Sequence, residues 1–464
     1  MIKTHEGAYA HEHSLDHHVE FFSKAGSLFT KSKKFYSGSE SALSLFQKCW
    51  IVDREKAMKL LFWLRDCRGG AGNRSAFREC IAWLSENSSA WVSENMTLII
   101  ETGRWDDLRS LIGTPCEKQA LDVWGKAIRS GDGLASKWAS RKKDIALRKN
   151  MGLSPKDFRK LLVKNTRVVE TQMCNKNWNE IEYKKVPSKA MSLYSKAFGK
   201  HDESGFTSFK GDVESGKTEI KSSVLFPHDC VRTAKSGDRQ TADLQFKALP
   251  NYLEGTNQRI MPICDTSGSM SSVTCGSVRA VDVAMALSLY CSDKIGSENP
   301  FYKKFIQFCS ESKLTDWGKH TLSSAINDRN VFNGAIGSTR IDTALDMLLS
   351  MGTMFKASTE QMPNVLLILS DMQFHGGGVN NYSEPVVKGC LQGWEAAGFE
   401  IPKIVYWNLA GGYAGSPDTV DSNNIALISG FSPSILKAVF AGEDFSPIGV
   451  MEKAIEKYRI KIPG

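Results

Sequence analysis

The feature that most constrains the fold is a change in apolar period near residue 256 of this 464-residue chain. From about residue 38 to 215 apolar residues recur at helical spacing. "DREKAMKLLFWL" sets Ala57, Met58, Leu61 and Leu64 on one face, and "SAFRECIAWL" places Phe77, Cys80, Ile81 and Leu84 at i, i+3, i+4, i+7. "LSPKDFRKLLVKNTRVVE" opens on Ser154 as N-cap with Pro155 at the first helical position, and offers Phe158, Leu161, Leu162 and Val169 for burial. Loops such as "RGGAGN" (68–73) and "GRWDD" (103–107) punctuate these helices, as in an irregular helical-repeat, HEAT-like solenoid. No fixed period repeats cleanly. Residues 216–255 read as a connector packing on the helical domain, and residues 1–37 as a tail and entry segment.

After residue 256 short apolar runs alternate with amphipathic helices. "RIMPIC" (259–264), "KKFIQFC" (303–309), "NVLLILS" (364–370), "IPKIVYWNL" (401–409) and "IALISG" (425–430) read as strands. Helices are expected over 277–293, 339–352, 384–397 and 432–442. Strands apolar on both faces, alternating with helices, predict a doubly wound parallel sheet over 256–464. The fold class expected is therefore α + α/β.

Eleven cysteines at irregular spacing, with no CxxC pair, argue against a disulfide framework or a zinc site and for a reducing, cytoplasmic setting. No apolar run is long enough to span a bilayer, so no membrane partner is expected. The first thirty residues lack both a continuous apolar segment and a cleavage pattern, so no signal peptide is expected. Five histidines (His5, His11, His13, His17, His18) fall in that stretch and read as part of a mobile tail.

Doubly wound sheets place ligands beyond the carboxyl ends of their strands. In "MPICDTSGSM" (261–270), Asp265, Ser267 and Ser269 follow the first strand, with Gly268 free to turn between the hydroxyls. Asp371 follows "NVLLILS", and Thr339 precedes a helix in "IGSTR". Two carboxylates and three hydroxyls suit a hard divalent cation, Mg²⁺ first, with Mn²⁺ or Ca²⁺ as alternatives. Helix capping by the two serines explains neither Thr339 nor Asp371. An aspartyl-phosphatase motif wants a second Asp where Ser267 stands. A Gly-x-Ser-x-Gly elbow has Asp265 in place of its first glycine. His375, four residues past Asp371, reads as a loop histidine.

This set resembles the metal-ion-dependent adhesion site of von Willebrand factor A domains, DxSxS followed by a distant Thr and a distant Asp. The resemblance implies that Asp265, Ser267, Ser269, Thr339 and Asp371 surround the cation. It also implies a free position that takes an acidic group from a protein ligand or docks intramolecularly. "LFWLRDCRGGAGNR" (61–74) is similar to the helix–glycine-loop stretch of the Ro (TROVE) family, which joins a ring of helical repeats to such an A domain. A poorly characterised family of the same layout is also similar, on "GRWDDL" (103–108), "VPSKAMSLYSKAF" (186–198), "VLFPHDCV" (224–231), "PICDTSGSM", "LILSDMQF" (367–374) and "ISGFSPSIL" (428–436). Ro-family members bind non-coding and misfolded RNA through a basic helical ring that single-stranded ends enter.

Charge is uneven in the same sense. The chain carries +8 overall. Residues 136–200 hold 17 Lys/Arg against 5 Asp/Glu, a balance of +12, whereas 256–464 hold 17 against 20. A polyanion is drawn to the first stretch and not to the second. Candidate RNA contacts are Arg65, Arg68 and Arg74 around the glycine loop, then Arg141, Lys142, Lys143, Arg148 and Lys149. Lys156, Lys160, Lys164 and Arg167 form a further group at helical spacing. A solvated cationic face is the alternative. Trp63 and Trp105 read as core. The expected function is a non-catalytic, RNA-binding ribonucleoprotein scaffold with a metal-dependent A domain; the alternative is a protein–protein adaptor that uses the metal site without RNA.

Overall fold

A computed structural model describes residues 1–27, 40–166, 168–272, 274–275, 278–332, 337–376, 385–411, 415–441 and 444–464. Six strands form the central sheet: β1 (Ile260–Asp265), β2 (Lys304–Phe308), β3 (Ser312–Asp316), β4 (Val365–Ser370), β5 (Lys403–Asn408) and β6 (Ile425–Ser429), in spatial order β6-β5-β4-β1-β2-β3. All pairings are parallel except β2 with β3, a hairpin in which Phe305 faces Thr315. Every residue of β1 and β4 is buried, which explains their unbroken apolar runs. β3 is the strand that periodicity missed. "SKLTD" is largely polar and only Thr315 in it is buried, as suits an edge strand.

The helical half runs through α1 (His17–Lys24), α2 (Ala42–Val52), α3 (Arg54–Arg65) and α4 (Arg74–Asn87), each packed on its neighbour. It continues through α5 (Glu117–Arg129), α6 (Gly133–Trp138) and α7 (Pro155–Asn165). Caps set the boundaries: Asp53 accepts the Lys56 N–H (3.0 Å) at the start of α3, and Ser154 accepts the Asp157 N–H (3.1 Å) before Pro155. Beyond α7, α8 (Ser188–His201) and α9 (Glu203–Glu214) close over a small separate core of Tyr183, Phe198, Phe206 and Phe209.

Two expected boundaries are different in the structure. The stretch 1–27 is no tail. Phe21 and Phe22 of α1 are fully buried, His18 is buried, and Ser429 Oγ at the end of β6 donates to Phe22 O (2.6 Å). Ser27 Oγ donates to Asn408 O (2.7 Å), so the chain's first helix seals the sheet's far edge. The sequence hid this because histidines and acids mask two adjacent phenylalanines. The connector helices α10 (Pro227–Lys235) and α11 (Arg239–Lys247) also do more than pack on the helical half. α10 lies against α12 (Ala280–Lys294), and Ser323 Oγ donates to Asp243 Oδ2 (2.6 Å).

One apolar core runs from α1 through α2–α7 into the sheet. Polar ties reinforce it: Lys457 Nζ and Tyr458 Oη donate to Asp66 Oδ2 at 2.7 and 2.9 Å. The glycine loop 68–73 sits at this junction. A Cβ on Gly70 would lie 2.0 Å from Trp63 O, and Gly72 holds φ +72°, so both positions require glycine. The remaining helices α13 (Ile341–Met354), α14 (Val386–Ala396) and α15 (Pro447–Ile455) complete the sheet's cover. Eight of the ten described cysteines are buried.

Candidate functional sites: an acidic sheet edge and a basic cavity

The strand order reverses between β1 and β4, the crevice where such sheets take ligands. Cys264 pairs with Leu369, which sets Asp265 beside Ser370 and brings Asp371 to the same edge. Asp265 and Ser267 are fully buried, and Asp371 nearly so. Ser370 Oγ donates to Asp265 Oδ2 (2.5 Å), and the Ser267 N–H to Asp265 Oδ1 (2.9 Å). Ser267 and Ser269 hydroxyls are 3.1 Å apart, and Ser269 also bonds to the Asp371 carboxylate. The turn carrying Thr339 reaches the same place, since the Gly268 N–H points to Gly337 O (3.4 Å) and the His375 N–H donates to Thr339 O (2.9 Å). The structure thus gathers all five residues singled out by sequence.

The electrostatics here are unresolved by the protein itself. Burial, with Asp371 as the next cause, raises Asp265 to about 7. Burial raises Asp371 to about 6 against the Ser269 and Gln373 hydrogen bonds, and the Glu6 charge pushes the same way. Thr339 Oγ1 and Asp371 Oδ2 are buried and find no hydrogen-bond partner among the described residues. Such orphaned oxygens are costly. Met372, directly after Asp371, holds φ +63°, a strained value for a side-chain-bearing residue. Among the described residues no group of three His, Cys, Asp or Glu is disposed to hold a metal, so a cation here would depend on hydroxyls beside two carboxylates. Hydroxyl, carboxylate and two unsatisfied oxygens form a donor set that fits a hard divalent ion.

One further group stands at this edge that sequence reasoning missed. Glu6, in the turn between two short antiparallel strands (Ile2–Lys3 and Tyr9–Ala10), accepts the Thr339 N–H on Oε2 at 2.7 Å. No local signal in "MIKTHEGAYA" announces it.

The second site lies in the helical half. A cavity of about 830 Å³ is lined by Arg68, Arg74, Arg104, Trp105, Trp138 and Phe226, among others. Arg68 and Arg74 are exposed and make no ion pair among the described residues. Partial burial, then Arg104 and Arg78, hold Arg74 below the usual arginine range. Arg104 pairs with Asp106 (2.8 Å) and stacks on Trp138, its guanidinium carbon 3.7 Å from the ring centroid. Lys189 reaches the same wall and bonds to buried Asp229.

The other candidate cations are placed differently. Arg65 is buried and bonded to Asp107 (Nε–Oδ2 2.8 Å), so its charge serves the fold and not an incoming phosphate. "GRWDDL" is explained by the same network: Asp107 also takes Arg78 (2.7 Å) and caps its own turn through the Arg104 N–H (2.9 Å). Arg141, Lys142, Lys143 and Lys149 are exposed, as are Lys156, Lys160 and Lys164 along α7, and none of them lines the cavity. Arg148 is half-buried and donates to Leu153 O (2.9 Å). Arg167 lies outside the described residues. Trp63 is core as expected, but Trp105 is half-exposed on the cavity wall. His375 uses its backbone, pairing with Gly7 and bonding to Thr339.

Known proteins add the following. Residues 140–259 match a family described as Domain of unknown function (DUF2828), and residues 259–459 one described as Domain of unknown function (DUF7788). Their shared limit falls one residue before β1 begins. An uncharacterized protein of Acanthamoeba polyphaga mimivirus is 25% identical over 479 residues, spanning 90% of this chain and 82% of that protein. The Ro (RSR) protein of Deinococcus radiodurans aligns in structure over 96% of this chain and 100% of its own, at 11% identity and a TM-score of 0.38.

Proposed function

We propose that this is a binding protein with two sites: a cavity in the helical half for single-stranded RNA, and a divalent-cation site at the sheet edge. The observation that supports the first is the pair of guanidiniums, Arg68 and Arg74, without ion-pair partners among the described residues, lining one cavity with half-exposed Trp105 and Trp138. Phosphates neutralise such cations, and unstacked bases lie on such rings, each worth roughly 1–3 kcal/mol. A duplex presents neither free base faces nor a shape that enters the cavity. The basic stretch 136–200 extends the attractive field around it.

At the sheet edge Asp265, Asp371, Ser267, Ser269 and Thr339 would hold the cation, with Mg²⁺ favoured and Mn²⁺ or Ca²⁺ as alternatives. A bound cation supplies positive charge to two buried carboxylates and an open position for an acidic group from a protein ligand. The role proposed is binding and not turnover. No helix among the described residues is long and apolar enough to cross a membrane. The buried cysteines, at irregular spacing and without a CxxC pair, support a reducing, cytoplasmic setting.

A gel-shift titration at two salt concentrations tests the RNA reading. Single-stranded RNA should bind more tightly than a blunt duplex, and affinity should fall steeply with salt as counterions are released. Arg68→Glu with Arg74→Glu should weaken binding by about 10- to 100-fold, which is roughly 1.4–2.8 kcal/mol. Absence of RNA affinity at low salt would instead favour a protein-binding scaffold.

A further inference from the structure

We propose that the N-terminal hairpin is an internal lid on the cation site, with Glu6 as the acidic group that closes it in place of an external ligand. The inference rests on the cation reading above and deepens it by naming what occupies the site's open side.

Four contacts tie the hairpin to the segment that follows Asp371. Thr4 Oγ1 donates to Phe374 O (2.6 Å), and the His5 N–H to Gln373 Oε1 (2.9 Å). The Gly376 N–H donates to Glu6 O (3.0 Å), and Gly7 pairs with His375 in an antiparallel bridge. The approach is close enough to require glycine on the partner side, since a Cβ on Gly376 would lie 2.2 Å from Gly7 O. The turn is built for this placement: the Gly7 N–H returns to Thr4 O (3.0 Å) with φ +90°, and Glu6 projects at its tip.

The placement of Glu6 is the second line. Its carboxylate sits on the N–H of Thr339, the residue whose buried hydroxyl has no partner among the described residues. Its charge acts on Asp371, whose Oδ2 is likewise buried and without a partner among the described residues. Bringing a third carboxylate to two buried ones is unfavourable unless positive charge sits among them. The hairpin is anchored beyond its far strand by the reciprocal bonds of His11 with Ser416 (2.9 and 2.8 Å). Opening therefore needs to displace only the first ten residues, and an acidic protein ligand must compete with Glu6 to reach the cation.

Calorimetry with Mg²⁺ on the full chain, joined to hydrogen exchange of the amides in residues 4–8, tests this. Glu6→Gln, which keeps an acceptor for the Thr339 N–H, should weaken Mg²⁺ by about tenfold or more. In the wild type, Mg²⁺ should slow exchange across the hairpin; in Glu6→Gln it should not. Gly376→Ala, which removes no carboxylate but pushes the hairpin and Glu6 away, should show the same two changes. Wild-type Mg²⁺ affinity in both variants, with exchange unaffected by Mg²⁺, overturns the lid. Asp265→Asn separates the two readings. If it loses Mg²⁺ while Glu6→Gln does not, only the lid fails; if it binds Mg²⁺ as the wild type does, the cation site fails and the lid with it.

Discussion

The two sites invert one another. At the sheet edge, acids gather in a closed place: Asp265 and Asp371 are buried, fixed by Ser370 and Ser269, and covered by a hairpin. In the helical half, bases gather around an open one: Arg68 and Arg74 stand exposed on a cavity of about 830 Å³. Like charges left without partners ask for a counterion in either case. Enclosure decides its size. A closed ring of carboxylate and hydroxyl oxygens suits a small hard cation, whereas an open wall of guanidiniums and indoles suits an extended anion with flat bases.

The contrast is sharpest where a base is not free. Arg65 lies beside the cavity yet is buried against Asp107, so it tests which cations belong to the fold. Removing one member of a buried pair costs about 3–5 kcal/mol when the other charge is stranded; Asp107 keeps Arg78 and the Arg104 N–H, which sets the expected cost near the low end, about 3 kcal/mol. Arg65→Met should therefore lower stability by that amount in urea unfolding. In contrast, Arg68→Met should leave stability within about 0.5 kcal/mol, as exposed substitutions do. Equal losses in the two variants would erase the distinction between structural and ligand-facing arginines.

Ligand removal probes the other side of the comparison. A cation that binds only the folded chain stabilises it by mass action, about 2.7 kcal/mol at 100 times its dissociation constant. Melting with excess Mg²⁺ against excess chelator should show a rise of that order in the wild type and none in Asp265→Asn. A rise of equal size in both would place the stabilising cation elsewhere.

What was legible from sequence follows the same division. Five of the six strands, and the Asp-x-Ser-x-Ser turn between them, were readable because strand and motif are local: an apolar run ends, then hard oxygens appear. Even the meeting of Asp265 with Asp371 followed from a general property of doubly wound sheets. The rest depended on distance. Glu6 meets Thr339 across 333 residues of sequence, and nothing around "THEGA" predicts it. Charge density pointed to α7 and the 141–149 segment, but the cavity draws its cations from α3–α4, the 104–105 turn and Lys189, which are scattered along the chain. Arg65 and Arg68, three residues apart, have opposite roles because one faces Asp107 and the other solvent.

The wall behind the cavity gives a pH test. His228, under Phe226 and edge-on to Phe431, is buried, and burial lowers it to about 4. The unfolded chain then takes up the proton more readily, so stability present above pH 6.5 is lost as pH falls towards 4. By pH 5 the loss should reach about 2 kcal/mol. Raised carboxylates at the sheet edge act in the opposite sense over this range, so the readout is a difference. Wild type minus His228→Leu, measured by urea unfolding at pH 8 and pH 5, should change by that amount.

The smallest effect is expected where charge is densest. Lys156, Lys160 and Lys164 are exposed along α7 and lie outside the cavity lining. On the proposed RNA reading they contribute to the field that draws RNA in, not to the contacts that hold it. Reversing all three to Glu should lower affinity only a few-fold, roughly 1 kcal/mol or less, for every sequence alike. The loss should shrink as salt screens the field, because the Debye length is about 8 Å at physiological ionic strength. The Arg68 and Arg74 reversals should keep most of their effect under the same conditions, since on the proposed reading those side chains meet the ligand directly. A gel-shift series across salt separates the two. If the α7 reversals cost as much as the cavity reversals at high salt, RNA lies along the helix face and the cavity is not its seat.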